Sequence, residues 1–277
     1  MFVSQLSTVL SFLNNFIQNG CGYSKLNTIR CALSLVLSDI DGFRVGDHPS
    51  IKRLLKAGYR ENIPSPRYQS TWDPSIVLDY CKAQFPHELL DLKMLTFKLI
   101  VLLALGTAQR AQTLSFIRLS NLEVHNEFIQ VRITDLIKTS RPKGKQPVLT
   151  LPFFTEKPEL CIAKLLEEYI NRTASIRGGE DRIFISFSKP HKCVSSQTIS
   201  RWIKTMLKLC GIDTDVFKAH STRHASTSRA YSLGLDIEEI RKAAGWTSSS
   251  SVFQKFYNRP VSDNFSYARS VLNIDLE

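Results

Sequence analysis

The chain is expected to be mainly α, with a helical N-terminal domain followed by a larger mixed α/β domain that carries a small antiparallel β-sheet. Three observations predict this. Apolar residues recur at helical spacing through residues 1–60. The segment Glu61–Pro74 then contains three prolines and no hydrophobic period. Beyond it, between residues 122 and 151, short runs of β-branched and apolar residues alternate with polar ones. The boundaries read as a helical domain over 1–60, a linker over 61–73 and a second domain over 74–277.

In the first domain Phe2, Leu6, Val9, Leu10, Leu13 and Phe16 share one helical face, as do Ile29, Leu33, Val36 and Leu37. Asn19-Gly20 followed by Gly22 marks the turn between these helices. A third helix around Pro49–Tyr59 presents Lys52, Arg53, Lys56 and Arg60 on one strongly basic face. The linker ends in Trp72-Asp73-Pro74, with Asp73 suited to cap a helix and Pro74 to its first position. Helices follow at 74–84 and 90–106, the second almost wholly apolar and therefore central.

Strands are expected at Leu122–Val124, Phe128–Ile133 and Val148–Leu151, with His125-Asn126 and the basic tip Pro142-Lys143-Gly144-Lys145 as turns. Helices resume at 157–172 and 195–210, with a short strand Arg182–Ser186 between them. Thr222–Leu233 is a helix stopped by Gly234, and Asp236–Ala244 one capped by Asp236 and stopped by Gly245. A last helix carries Tyr257.

An apolar content of 43% against 22% charged residues is that of a globular protein. The net charge of +11, from 36 basic and 25 acidic side chains, favours a polyanionic partner, because cations set against phosphates gain affinity by counterion release. Charge alone fits any basic surface, so the motifs must decide. The six cysteines are scattered with no Cys-x-x-Cys pair, which argues against a disulfide framework or a zinc site. Cys31 and Cys161 sit in apolar helical pattern and are expected to be buried free thiols. Met1–Gly20 lacks the basic start of a signal peptide, and the apolar run Leu95–Leu105 contains Lys98 and is too short to span a bilayer. The chain opens directly in helical pattern, as a piece of a longer protein would.

The last third holds the densest chemistry: His220-Ser221-Thr222-Arg223-His224, then Gly245-Trp246, then Phe256-Tyr257. A tyrosine downstream of clustered cations and hydrogen-bond donors suits a nucleophile that attacks a phosphodiester. His220 and Arg223, three apart on a helix, share a face and can converge on one ligand. Arg110 follows the apolar helix in Gly106-Thr107-Ala108-Gln109-Arg110 with few acids nearby, and its planar fork matches two phosphate oxygens. Lys138 lies at or near the hairpin, where it could protonate a leaving alkoxide; Lys143 and Lys145 are close enough to compete for that role. Each residue also has an ordinary explanation. Arg110 fits a helix surface, Trp246 and Tyr257 an aromatic core with Phe253 and Phe256, and His224 a packing role.

The order Arg110, Lys138, His220-x-x-Arg223, Trp246, Tyr257 resembles the tyrosine recombinase (phage-integrase-like) family. Lys218–Ala230 and Ala243–Pro260 look most like recombinases of eukaryotic mobile elements such as DIRS-like retrotransposons and cryptons. The resemblance covers nearly the whole chain, residues 1–60 looking like the family's helical, SAM-like core-binding domain and 74–277 like its catalytic domain. Two features depart from the pattern. Thr113 stands where the family often carries an acid, and the Trp246–Tyr257 interval is longer than in bacterial and phage members. No tyrosine lies inside that interval, and Tyr267 is the fallback nucleophile.

The resemblance implies a site-specific recombinase or integrase that cuts and rejoins DNA through a 3′-phosphotyrosine at Tyr257. Arg110 and Arg223 would hold the phosphate, His220 and Trp246 would add hydrogen bonds, and Lys138 would be the general acid. No metal or cofactor is called for. The partners implied are double-stranded DNA, contacted by Lys52, Arg53, Lys56, Arg60, Lys143 and Lys145, and further copies of the chain as a dimer or tetramer. An intracellular, nuclear setting and a mobile-element origin follow from the same likeness. The rival readings are a type IB topoisomerase-like nicking and resealing enzyme and a domesticated DNA-binding protein without catalysis.

Overall fold

The computed structural model describes residues 2–63, 68–142, 144–246 and 257–258. The chain divides into two compact units, Met1–Arg67 and Tyr68–Glu277. In the first, helices α1 (Leu6–Gln18), α2 (Tyr23–Val36) and α3 (Pro49–Glu61) pack around Leu13, Leu26, Ile51 and Leu55. The buried stripe of α1 is Val9, Leu13 and Ile17, one helical turn apart. Pro49 opens α3, and the His48 ring accepts the Ser50 N–H at 3.2 Å. Gly58 fits where α3 meets its neighbours, since a Cβ there would lie 2.7 Å from Ile17 Cδ1. With that side of α3 buried, Lys52, Arg53, Lys56 and Arg60 are all exposed.

Two expectations fail in this unit. Phe2, grouped with the apolar face of the first helix, lies before α1, is exposed and bridges Leu37 instead. The second is Cys31, which is exposed, whereas Cys161 is buried as expected. Helix α2 fully buries only Leu26, and Cys31 lies with Ala32 and Leu35 on its exposed side. Apolar residues continue all round that helix, so their pattern does not identify the buried face.

The second unit contains α4 (Pro74–Ala83), α5 (Leu92–Thr107), α6 (Ala111–Ser115), strands β1 (Leu122–Val124), β2 (Phe128–Arg132) and β3 (Val148–Pro152), then α7 (Ile162–Thr173), α8 (Ser196–Leu209), α9 (Ser221–Ser232) and α10 (Ile237–Ala244). It is mainly helical with a small three-stranded antiparallel sheet, the fold class expected. Asp73 caps α4 through the Ser75 N–H at 2.9 Å, with Pro74 at the first position. The apolar helix α5 is the centre, packed by α7, α8 and α9. Its burial on every side explains why it lacks an amphipathic stripe. Strand order is β1-β2-β3, with Ile129 opposite Leu151 and Val131 opposite Leu149. All four of these residues are buried, while Gln130 and Thr150 take the other face.

The expected strand at 182–186 does not form a ladder. Arg182 bridges Arg118 on one side and Ile185 bridges Cys193 on the other, each as an isolated pair. The segment donates from Ile183 to Ile117 O at 2.9 Å and from Ser186 to Lys192 O at 2.9 Å. Its extended backbone is thus shared between two partners, with too little of either for a strand. Among the described residues no helix is long and apolar enough to cross a membrane.

Lys98 is fully buried in the middle of α5. Its amine donates to Gln84 O at 2.7 Å and lies 3.3 Å from His87 Nδ1. Burial pushes the ammonium down from 10.5 to about 8. Between those values the unfolded chain binds a proton that the folded chain does not, so stability from this group rises with pH across that window. Chemical denaturation of the wild type and of Lys98→Met at pH 7.5 and 10 should therefore differ in pH response. The wild type is expected to gain about 1–3 kcal/mol relative to the variant. Parallel pH responses would show that the amine titrates alike in the folded and unfolded chains, and so is not desolvated by its burial.

Candidate active site

The site is built where three helix ends meet. Helix α5 stops at Ala108, whose backbone is left-handed (φ 50, ψ 25). That reversal sends Gln109 toward α10, where its amide donates to Ala243 O at 2.7 Å, and makes Arg110 the N-cap of α6. Arg110 and His220 together line a cleft of about 220 Å³ that also includes Gln112, Ser196, Ser200 and Thr222.

His220 stands at the N-terminal cap position of α9 and is exposed, whereas Arg223, one turn on, is 1% exposed. The Arg223 guanidinium donates from Nη1 to Ala108 O at 2.6 Å and from Nη2 to Ala244 O. These carbonyls belong to the C-terminal ends of α5 and α10, where helices leave acceptors unpaired and partial negative charge accumulates. Arg223 thereby fastens two helix ends to α9. Two of its five N–H groups are engaged in this way, and the Tyr257 side chain is a further hydrogen-bond partner.

Helix α10 begins at Asp236, which accepts the Glu238 N–H at 2.7 Å, and ends at Gly245 with φ 64. The turn delivers Trp246 onto Arg223, whose guanidinium carbon is 4.6 Å from the indole centre. Tyr257 completes the cluster and is 8% exposed. Its hydroxyl lies 2.7 Å from His220 Nε2. Its ring stacks on His224 (4.2 Å between centres, 16° between planes) and touches Trp246 at 4.7 Å. Ser228, farther along α9, donates to Tyr257 O at 2.6 Å. One helix therefore holds both the ring and the backbone of the tyrosine.

Burial, then the like charge of Arg110, pushes the Arg223 guanidinium down to about 10, with Tyr257 opposing the shift. Arg223 remains cationic at neutral pH. Among the described residues the charges acting on Arg223 include no carboxylate, so there the pair is electrostatically unbalanced and suited to an anion.

Arg110, His220, Arg223, Trp246 and Tyr257 are thus gathered around one cleft and one ring cluster. Lys138 lies in the β2–β3 connection with an exposed side chain, and its backbone N–H donates to Gln112 Oε1 at 3.0 Å. Lys145 is also exposed in that connection, while Lys143 and Tyr267 lie outside the described residues, as does most of the helix expected around Tyr257. On α3, Lys52 pairs with Asp47 at 3.1 Å. Sequence reading did not single out Gln109, Gln112 or Ser228 as part of the site, and it placed His224 in packing without identifying the ring it packs on. For Gln112, closeness to Arg110 was the one available signal.

The model of the phage integrase family matches residues 79–262, most of the chain and nearly all of the second unit. The chain belongs to the phage integrase family. Solved structures similar to this integrase-family chain include the XerH site-specific recombinase in a post-cleavage complex with a palindromic difH substrate. That likeness has 12% identity and a TM-score of 0.63, over 98% of this chain and 73% of that one. A lambda integrase dimer bound to a COC′ core site matches at 19% identity and TM-score 0.56, over 92% of this chain and 64% of that one. The Tn1549 transposon integrase (residues 82–397), in complex with circular intermediate DNA, matches at 12% and 0.56, over 97% and 85%. At these identities the likeness is one of fold. No curated protein matches the chain.

Proposed function

We propose that the chain is a site-specific DNA recombinase of a mobile element, cutting and rejoining strands through a covalent bond between Tyr257 and a DNA 3′-phosphate. The observation that carries this reading is the 2.7 Å contact between His220 Nε2 and the Tyr257 hydroxyl, beside the unbalanced arginine charge. In the proposed step the Tyr257 oxygen attacks phosphorus while His220 takes the phenol proton. The bond from phosphorus to the 5′-oxygen breaks, and Lys138 protonates that oxygen to leave a 5′-hydroxyl. Arg110 and Arg223 stabilise the charge on the non-bridging oxygens, with Trp246 as a further donor. A 5′-hydroxyl from a second strand then reverses the step and rejoins DNA, so neither metal nor nucleotide cofactor takes part.

Family membership and the gathering of these side chains support the recombinase reading. The partner is double-stranded DNA, and the active form on DNA is a dimer or tetramer of the chain. Residues 1–60 act as a core-binding clamp, and Lys218–Ala230 with Ala243–Pro260 favour a DIRS-like or crypton element acting in the nucleus. The decisive experiment incubates the protein with a nicked suicide duplex carrying the element's own terminal sequence. A covalent adduct on the 3′-phosphate supports the reading, whereas sequence-independent binding without any adduct would select a non-catalytic DNA-binding protein.

The clamp has a test of its own. Each phosphate neutralised contributes about 0.9 to the slope of log K against log salt. Lys52→Ala with Lys56→Ala should weaken binding to all duplexes alike and flatten that slope by up to about two units. The Asp47 contact already occupies Lys52, so Lys56 is expected to account for more of the change. An unchanged slope in titrations across salt would mean that α3 faces solvent.

A further inference from the structure

We infer that Gln112 is a positioning residue that sets Lys138 in register with Arg110, an inference that rests on the reading of Lys138 as general acid. The β2–β3 connection carrying Lys138 is closed at its base by the Ile133 N–H on Pro147 O at 3.0 Å. Asp135 fastens it with two bonds from Arg118, at 2.9 and 3.0 Å, and a third from Arg182 at 3.4 Å. Ile137 is buried, and its N–H donates to Ser140 Oγ at 2.9 Å. Ser140 is in turn paired with Gln146 at 2.9 Å. These contacts fix the shape of the loop. Arg182 also donates to Ser115 O at 3.1 Å, which ties Asp135 to the far end of α6, but none of these contacts reaches the Arg110 end of that helix.

Gln112 does. It sits two residues after Arg110 on α6, lines the same cleft as Arg110 and His220, and accepts the Lys138 N–H through Oε1 at 3.0 Å. Because a backbone N–H only donates, the amide must present its oxygen here, which fixes its orientation and leaves its NH₂ free to donate elsewhere. Lys138 has a long, exposed side chain, so the placement of its amine depends on where its backbone is held. Proton transfer in a transition state demands hydrogen-bond reach, and small misplacements are costly. Losing the Gln112 contact leaves the loop folded but lets Lys138 drift relative to the arginine that holds the phosphate.

The test uses the full chain and the suicide duplex in two forms, with the 5′-bridging atom as oxygen or as sulfur. A sulfur leaving group needs no proton, so Lys138→Ala should be slow on oxygen and largely recovered on sulfur. Gln112→Leu, which keeps bulk but loses the acceptor, should slow oxygen cleavage about tenfold and leave sulfur cleavage near wild type. Gln112→Glu retains an acceptor and should keep the oxygen-to-sulfur ratio of the wild type, whatever its absolute rate. Recovery on sulfur for Lys138→Ala but equal defects for Gln112→Leu on both substrates would overturn the inference alone. If Lys138→Ala shows equal defects, the acid assignment falls, this inference falls with it, and Lys143 or Lys145 becomes the candidate.

Discussion

Tyr257→Phe is expected to abolish covalent adduct formation on the suicide duplex while leaving folding and DNA binding nearly intact. The substitution removes one oxygen, and with it the contact with His220 and the hydrogen bond with Arg223. The ring keeps its stacking on His224 and its contact with Trp246. A stability change near 1 kcal/mol is therefore expected, set against complete loss of the reacting atom. Adduct yield on denaturing gels, with thermal melting of the same samples, separates the two. A Phe variant that still forms an adduct, with the linkage mapped to Tyr267, would reject the assignment.

Arg223→Lys comes second in size and acts on two levels. Lysine keeps a charge but loses the planar fork, so cleavage should fall by about 10²–10³, as for the loss of one preorganised donor. The same change breaks the bonds to Ala108 O and Ala244 O, whose acceptors are buried with the guanidinium. The melting temperature should therefore fall as well, by an amount corresponding to about 1–3 kcal/mol. Binding to intact duplex should change little below the transition, because many other cations hold the backbone. Single-turnover cleavage well below the melting transition isolates the chemical effect. Wild-type cleavage there would remove Arg223 from the catalytic set.

Much of this arrangement was legible because residue type and order carry it. The apolar run at 95–105 could only be a buried helix, and its end placed Arg110. Asp73-Pro74, Asp236 and Gly245 marked helix ends through backbone chemistry that depends on local sequence alone. The contacts that lock the site were not legible, for a definite reason. Arg223 is held by the carbonyls of two alanines, and every residue in the chain offers a carbonyl. Which ones meet it is decided by how α5, α9 and α10 pack. The segment 182–186 has strand-like residues, but its pairing is split between two partners that no local pattern names. Cys31 was misread because α2 carries more apolar residues than its neighbours can cover.

The double attachment of Arg223 also bears on how such a gene decays once its product is no longer selected to cut DNA. A copy kept only as a folded DNA-binding protein would still be under pressure to retain Arg223, because losing it loosens two helix ends at once. His220 and Lys138 are exposed and free to drift in such a copy, and the Tyr257 hydroxyl could vanish with the ring still packed. The buried arginine is therefore a poor witness to living enzymology. Joint survival of the Tyr257 oxygen, His220 and Lys138 is the better one, since the fold asks little of them.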